Sequence, residues 1–243
     1  MSMNYQDETL FRFYCKSRSE LFTFLENVNA LGYIPQSVVS DEEYFIELQT
    51  QIDKGIDSGL IINFENGSHI NLSQLLKNDK MYTLSFYFEW TAFVEEFILE
   101  FMANSNEIVY SYLTNYYDVK WQNETTIQAY KSNKREYKSM VLGYDIFGNQ
   151  CIDISRNYGR EIRFAGYLFI ASYYSWFDVR FIERILNQNN LVFSSFVEKL
   201  ELRNGLLRIK LFDNIRADFP SDRINQKKFI EDLGLLNNPV DLI

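Results

Sequence analysis

Hydrophobic and polar residues alternate along several segments of this 243-residue chain. Between Tyr82 and Trp90, bulky apolar side chains occupy every second position, with mostly polar ones between them. This period of two is typical of a half-buried strand. A similar alternation on both sides of Asn204-Gly205 predicts a hairpin over residues 197–211, because Asn-Gly favours the tight turn that joins two strands.

Other segments repeat their apolar residues at helical spacing. Each follows a residue whose side chain can cap a helix, namely Ser17, Thr91 or Asp178. A period near 3.6 residues buries one stripe of a helix and leaves the rest in water. These patterns predict helices over residues 18–31, 92–103 and 178–188.

Alternating strands and amphipathic helices together predict an α+β fold, with a mixed or antiparallel sheet and helices packed on it. We read residues 107–121 and 161–176 as further strands of this sheet. No low-complexity linker divides the chain, so residues 1–243 are expected to form a single compact body. Two similar halves, 59–121 and 141–212, are a further interpretation, since both run hairpin, strand, helix, strand; the alternative is coincidence within any α+β chain.

Charge and composition restrict the classes of function that this chain can have. The chain has 24 Lys and Arg residues against 33 Asp and Glu residues, a formal net charge of −9. General nucleic-acid binding needs an excess of basic residues, so we expect no nucleic-acid partner. No secretory signal begins the chain and no stretch of about 20 apolar residues occurs. We therefore expect a cytoplasmic protein that does not bind a membrane.

The inventory of reactive side chains is small. His69 is the sole histidine and follows a predicted hairpin turn, where an exposed side chain is the ordinary interpretation. Cys15 and Cys151 lie in apolar strand patterns and are expected to be reduced core residues. No glycine-rich phosphate loop is present. These features predict no metal site, no cofactor and no histidine-based catalysis.

Two surface clusters are candidates for binding a partner. Asp41, Glu42 and Glu43 form an acidic group, and Tyr116 and Tyr117 stand beside Asp118. Tyrosine combines a large contact area with a polar tip, and acidic groups attract basic partners. The alternatives are a solvated helix face for the acidic group and a tyrosine-rich core for the rings.

An acidic protein without catalytic motifs is most consistent with binding rather than catalysis. We expect an inhibitor that occludes the active site of a basic toxin or enzyme, in the manner of bacterial immunity proteins. The alternative is an enzyme that uses carboxylates and tyrosines, such as a carbohydrate hydrolase. Glu89 and Asp178 are the carboxylates that best suit it, but the ordinary interpretation is a solvent-facing strand residue for Glu89 and a helix cap for Asp178.

Overall fold

The structure, a computed structural model, describes residues 8–36, 60–76, 81–215 and 220–236, together with residue 50. Most of these residues belong to helices or strands. In chain order the elements are β1 (Glu8–Cys15), α1 (Arg18–Ala30), β2 (Leu60–Asn63), β3 (His69–Leu76), β4 (Met81–Glu89), α2 (Ala92–Asn104), β5 (Ile108–Asn115), α3 (Tyr116–Asn123), α4 (Ile127–Ser132), β6 (Leu142–Tyr144), β7 (Gln150–Ile152), β8 (Ile162–Phe164), β9 (Tyr167–Phe169), β10 (Tyr174–Asp178), α5 (Val179–Leu186), β11 (Glu198–Glu201), β12 (Leu206–Lys210) and α6 (Pro220–Asp232).

Eight strands form one antiparallel sheet in the order β11-β12-β10-β5-β1-β4-β3-β2. The predicted α+β class is confirmed. Two short hairpins, β6–β7 and β8–β9, lie outside this sheet as separate two-stranded sheets. Among the described residues, no helix is long and apolar enough to cross a membrane.

Aromatic side chains fill the space between one face of the sheet and the helices α1 and α2. Phe24 of α1 is fully buried at the centre of this layer. Its ring centroid lies 5.0 to 5.8 Å from those of Phe11, Phe13, Phe86, Phe97 and Phe101. Such separations suit edge-to-face and tilted ring contacts, which stabilise a core beyond simple burial.

The opposite face of the sheet is covered only in part. Over β5 and β10, stacked rings connect the sheet to later segments of the chain. The ring centroid of Phe193 lies 5.3 Å from that of Phe177 in β10 and 5.3 Å from that of Phe229 in α6. Over β1, β3 and β4, by contrast, the alternation places polar side chains such as Arg12 and Ser85 on this face. The two faces of the central strands therefore differ in character.

The predicted helix starts are confirmed by hydrogen bonds at their caps. Ser17 Oγ accepts from the Ser19 amide, Thr91 Oγ1 from the Val94 amide, and Asp178 Oδ1 from the Phe181 amide. Each bond satisfies an amide group that has no partner within the helix. The predicted strand over residues 82–90 corresponds to β4, and the predicted hairpin over residues 197–211 to β11 and β12.

Two of the predicted strands are shorter in the structure. The strand read over residues 107–121 ends at Asn115, whose side chain caps helix α3 by accepting from the Asp118 amide at 2.8 Å. The strand read over residues 161–176 is divided by a tight turn. Ala165 and Gly166 both have positive φ, 50° and 86°, as a two-residue hairpin turn requires.

Both cysteines are free and buried, as predicted. The single body over residues 1–243 and the similarity of halves 59–121 and 141–212 stay predictions. The main sheet takes β2 to β5 from the first of these halves and β10 to β12 from the second.

Candidate functional site

Residues 124–160, here called the arm, form a small unit beside the main sheet. They contain α4 and the β6–β7 hairpin, and Trp121 at their base joins them in a hydrophobic cluster separate from the main core. The buried members of this cluster are Trp121, Tyr130, Ile152 and Ile154. A backbone hydrogen bond of 2.8 Å from the Ile152 amide to the Thr125 carbonyl ties the hairpin to the start of the arm.

The hairpin of the arm exposes an unusual number of apolar side chains. Residues 140–147, here called the apolar tip, include Tyr144, Ile146 and Phe147, which are 69%, 73% and 81% exposed. Met140, Val141 and Leu142 are exposed as well. Isolated exposed apolar residues are ordinary, but a contiguous group marks an interaction surface or an aggregation hazard.

The turn of the hairpin is closed by hydrogen bonds to the Asp145 carboxylate. Asp145 Oδ1 accepts from the Phe147 amide at 2.9 Å and from the Asn149 amide at 2.8 Å, and Oδ2 accepts from Asn149 Nδ2 at 3.0 Å. Gly148 follows with a φ of 80°, which a glycine adopts without strain. An ordered turn loses less conformational entropy on binding than a flexible one.

This turn makes a testable prediction about pH. The hydrogen bond from the Asn149 side chain, together with the backbone amides, lowers the pKa of Asp145 below its ordinary value of 3.8. Because the folded pKa is lowered, the turn is fully stabilised above pH 3.8 and loses this contribution as the pH falls through the folded pKa. A carbon-detected NMR titration should give a pKa below 3.8, and Asn149→Ala should raise it toward that value. An unshifted wild-type pKa would contradict the hydrogen-bonded turn.

The arm differs in charge from the rest of the chain. Its six basic and four acidic side chains give a net charge of +2, which leaves −11 for the remaining residues. Lys131, Lys134 and Lys138 precede the apolar tip and are exposed. A partner would therefore meet a mildly basic arm on an acidic protein.

The predicted aromatic pair lies at the base of the arm, in the first turn of α3. Tyr117 is half-buried, and its hydroxyl accepts from Arg135 Nη1 at 3.2 Å. The Arg135 guanidinium lies 4.3 Å from the ring centroid of Trp121, so it is stacked against the arm's own cluster. Tyr116 contacts Tyr87 of the sheet, with ring centroids 5.0 Å apart. These contacts anchor the arm to the sheet.

Asp118 connects the same turn to α6. Its carboxylate accepts from both terminal nitrogens of Arg223, at 2.6 and 2.9 Å. The structure thus brings Tyr116, Tyr117 and Asp118 together at one end of α3, but their side chains are engaged within the molecule. Their part in binding a partner stays a prediction. Asp41, Glu42 and Glu43 lie outside the described residues.

The other candidate groups are dispersed. Glu89 is exposed at the end of β4, and the Asp178 carboxylate caps α5. His69 stacks on Tyr87 at 4.3 Å, and burial lowers its pKa. Within the described ranges, no three His, Cys, Asp or Glu side chains are grouped as a metal site would require.

The sequence predicted a hairpin at the start of the second half, 141–212, but did not reveal its apolar tip. The signal that could have revealed the apolar tip is the mostly apolar segment from Met140 to Phe147. A short hairpin built from this segment has no polar face to present to water. No family model, curated protein or solved structure matches the chain.

Proposed function

We propose that this protein binds another protein through the apolar tip, and that it acts as an immunity-type inhibitor by occluding its partner's active site. The observation that supports this proposal is the exposure of Tyr144, Ile146 and Phe147 on a turn held by Asp145. These three side chains are mostly exposed, so their burial contributes little to the stability of the described fold. Burying one such side chain at an interface contributes about 1.5–3 kcal/mol.

The shape of the surface favours occlusion. A hairpin offers a few large side chains on a narrow element, which suits insertion into a cleft better than association with a flat face. Clefts lined by apolar groups are where enzymes bind their substrates. An aromatic anchor that fills such a cleft, surrounded by weaker contacts that exclude water, is the usual arrangement of an interface hot spot.

Charge supports a basic partner, which we propose is a bacterial toxin or another enzyme met in the cytoplasm. The residues outside the arm carry a net charge of −11, so their field attracts a basic protein over a long range. The arm itself, at +2, opposes this attraction weakly. We therefore assign the encounter rate to the acidic remainder of the chain and the lifetime of the complex to the apolar tip.

The proposal is tested by coexpression of the tagged protein with the product of the neighbouring gene, since an immunity protein is encoded beside its toxin. The two proteins should copurify, and the purified complex should show stoichiometric loss of the partner's catalytic activity. A partner that binds but keeps full activity would overturn the inhibitor role. Absence of any protein partner, together with turnover of an oligosaccharide by the purified chain, would favour the hydrolase alternative.

A further inference from the structure

The sheet face opposite α1 and α2 contains a polar groove of about 450 Å³ that lies outside the arm. Its floor is formed by two cross-strand rows on β1, β3 and β4. The first row is Arg12, Ser85 and Asn71, and the second is Tyr14, Thr83 and Ser73. Arg163, Gly166 and Leu168 of the β8–β9 hairpin line its wall. A groove of this volume accommodates a small metabolite.

Arg12 is the central group of the floor. It lies on a strand in the interior of the sheet, and its side chain is only 12% exposed. Arginine is almost never buried at such a depth unless it is paired. Its Nε donates to Ser85 Oγ at 2.6 Å, but Glu161 Oε1 lies 3.8 Å from Nη1, which is beyond hydrogen-bond distance. The Tyr14 and Tyr87 hydroxyls also hydrogen-bond this guanidinium. A guanidinium has five N–H donors, so Arg12 still keeps donors for a further acceptor.

Two polar atoms of the floor are buried without a hydrogen-bond partner among the residues the structure describes. They are Thr83 Oγ1 and Asn71 Oδ1. A buried polar atom is almost always hydrogen-bonded, and each exception calls for an explanation. Thr83 is 7% exposed and lies in the row next to that of Arg12, so its hydroxyl can donate to a group that Arg12 also binds.

The charge of the groove favours an anion. Arg12 and Arg163 supply two cations, and Glu161 supplies one carboxylate. Burial lowers the pKa of Arg12, but its electrostatic surroundings, which include the Glu161 carboxylate, hold this pKa above its ordinary value. Arg12 is consequently a permanent cation in the floor. Guanidinium groups bind carboxylate and phosphate oxygens through paired hydrogen bonds.

We propose that this groove binds the carboxylate or phosphate group of a small metabolite. Arg12 and Arg163 neutralise the oxyanion, and the Thr83 hydroxyl donates to one of its oxygens. Glu161 competes with the oxyanion for Arg12. The proposal does not depend on the protein-binding function, because the groove and the apolar tip share no residue.

The test is calorimetric titration of the full-length protein with inorganic phosphate and, separately, with citrate, at constant ionic strength. If only phosphate binds saturably, the ligand carries a phosphate group. If only citrate binds saturably, the ligand carries a carboxylate. If both bind, the groove is a general oxyanion site. If neither anion binds saturably, the proposal is wrong. A bare anion lacks the rest of the metabolite, so we expect dissociation constants in the millimolar range, corresponding to about −4 kcal/mol.

Variants separate a binding role from a structural one. Thr83→Val removes an unpaired hydroxyl at nearly constant volume, so thermal stability should hold or rise while anion affinity falls about tenfold. Arg163→Gln, on the exposed rim, should weaken binding similarly, whereas Glu161→Gln should strengthen it. Arg203→Gln is the matched control, since Arg203 is exposed in the β11–β12 turn at the other end of the sheet. Unchanged affinity in both Thr83→Val and Arg163→Gln would overturn the assignment.

Discussion

Replacing Phe24 by Ala should lower the free energy of unfolding by about 3–5 kcal/mol, the range for deleting a buried aromatic side chain. Phe24 is fully buried and contacts five other rings, so its removal leaves a cavity that its neighbours can fill only in part. Urea denaturation followed by circular dichroism measures the loss. The control is Phe93→Ala on α2, where the side chain is 62% exposed and the change should stay within about 0.5 kcal/mol. Equal losses in the two variants would contradict the packing described.

Replacing Phe147 by Ser should weaken binding of the protein partner by about 30-fold or more, the effect of losing an interface hot spot. Phe147 is the most exposed ring of the apolar tip, at 81%, so its loss should leave the fold intact. Phe93→Ser is the matched control, because it makes the same chemical change at an exposed phenylalanine outside the arm. Surface plasmon resonance should show faster dissociation for Phe147→Ser alone.

Equal affinities of the partner for the wild type and both variants would show that the apolar tip is not part of the interface. Equal losses in both variants would point to a nonspecific effect of removing exposed aromatic rings. A slower association rate with an unchanged dissociation rate would assign Phe147 to the encounter rather than to the bound complex.

The elements with strong local signals were predictable from the sequence. β4 follows from its alternation of apolar and polar residues, and α2 from its helical stripe after the Thr91 cap. Both signals act over a few residues, where backbone geometry fixes which side chains share a face. The exact end of β5 was not predictable in this way, because the aromatic run continues through Tyr116 and Tyr117 after Asn115 turns the chain into a helix.

The sites depend on contacts that are distant in the sequence. Tyr117 was a candidate interface residue by composition, with a tyrosine-rich core as the alternative. In the structure Arg135, 18 positions later, donates to its hydroxyl. In the sequence, Arg12 is an ordinary polar residue of a segment that alternates like a strand. The wall beside it is supplied by the β8–β9 hairpin, where the Leu168 amide donates to Tyr14 Oη across 154 positions. No local pattern carries that information.

The exposure of the apolar tip also depends on the tertiary fold and not on a local sequence pattern. The sequence predicts a hairpin at the start of the second half, 141–212, and a hairpin normally buries one face against a sheet. In the fold the β6–β7 hairpin lies outside the main sheet, and its Ile152 packs in the small cluster at the base of the arm. Which hairpin joins the sheet is decided by the tertiary fold and not by the hairpin's own sequence.

Amide hydrogen exchange of the protein, free and bound to its copurified partner, tests the proposed interface most directly. Exchange reports protection residue by residue, and the amides of the exposed hairpin should exchange readily in the free protein. The expected result is slower exchange across residues 140–150 in the complex, with α2 around Phe93 unchanged. Protection confined to another surface, with residues 140–150 exchanging at the free rate, would contradict binding through the apolar tip.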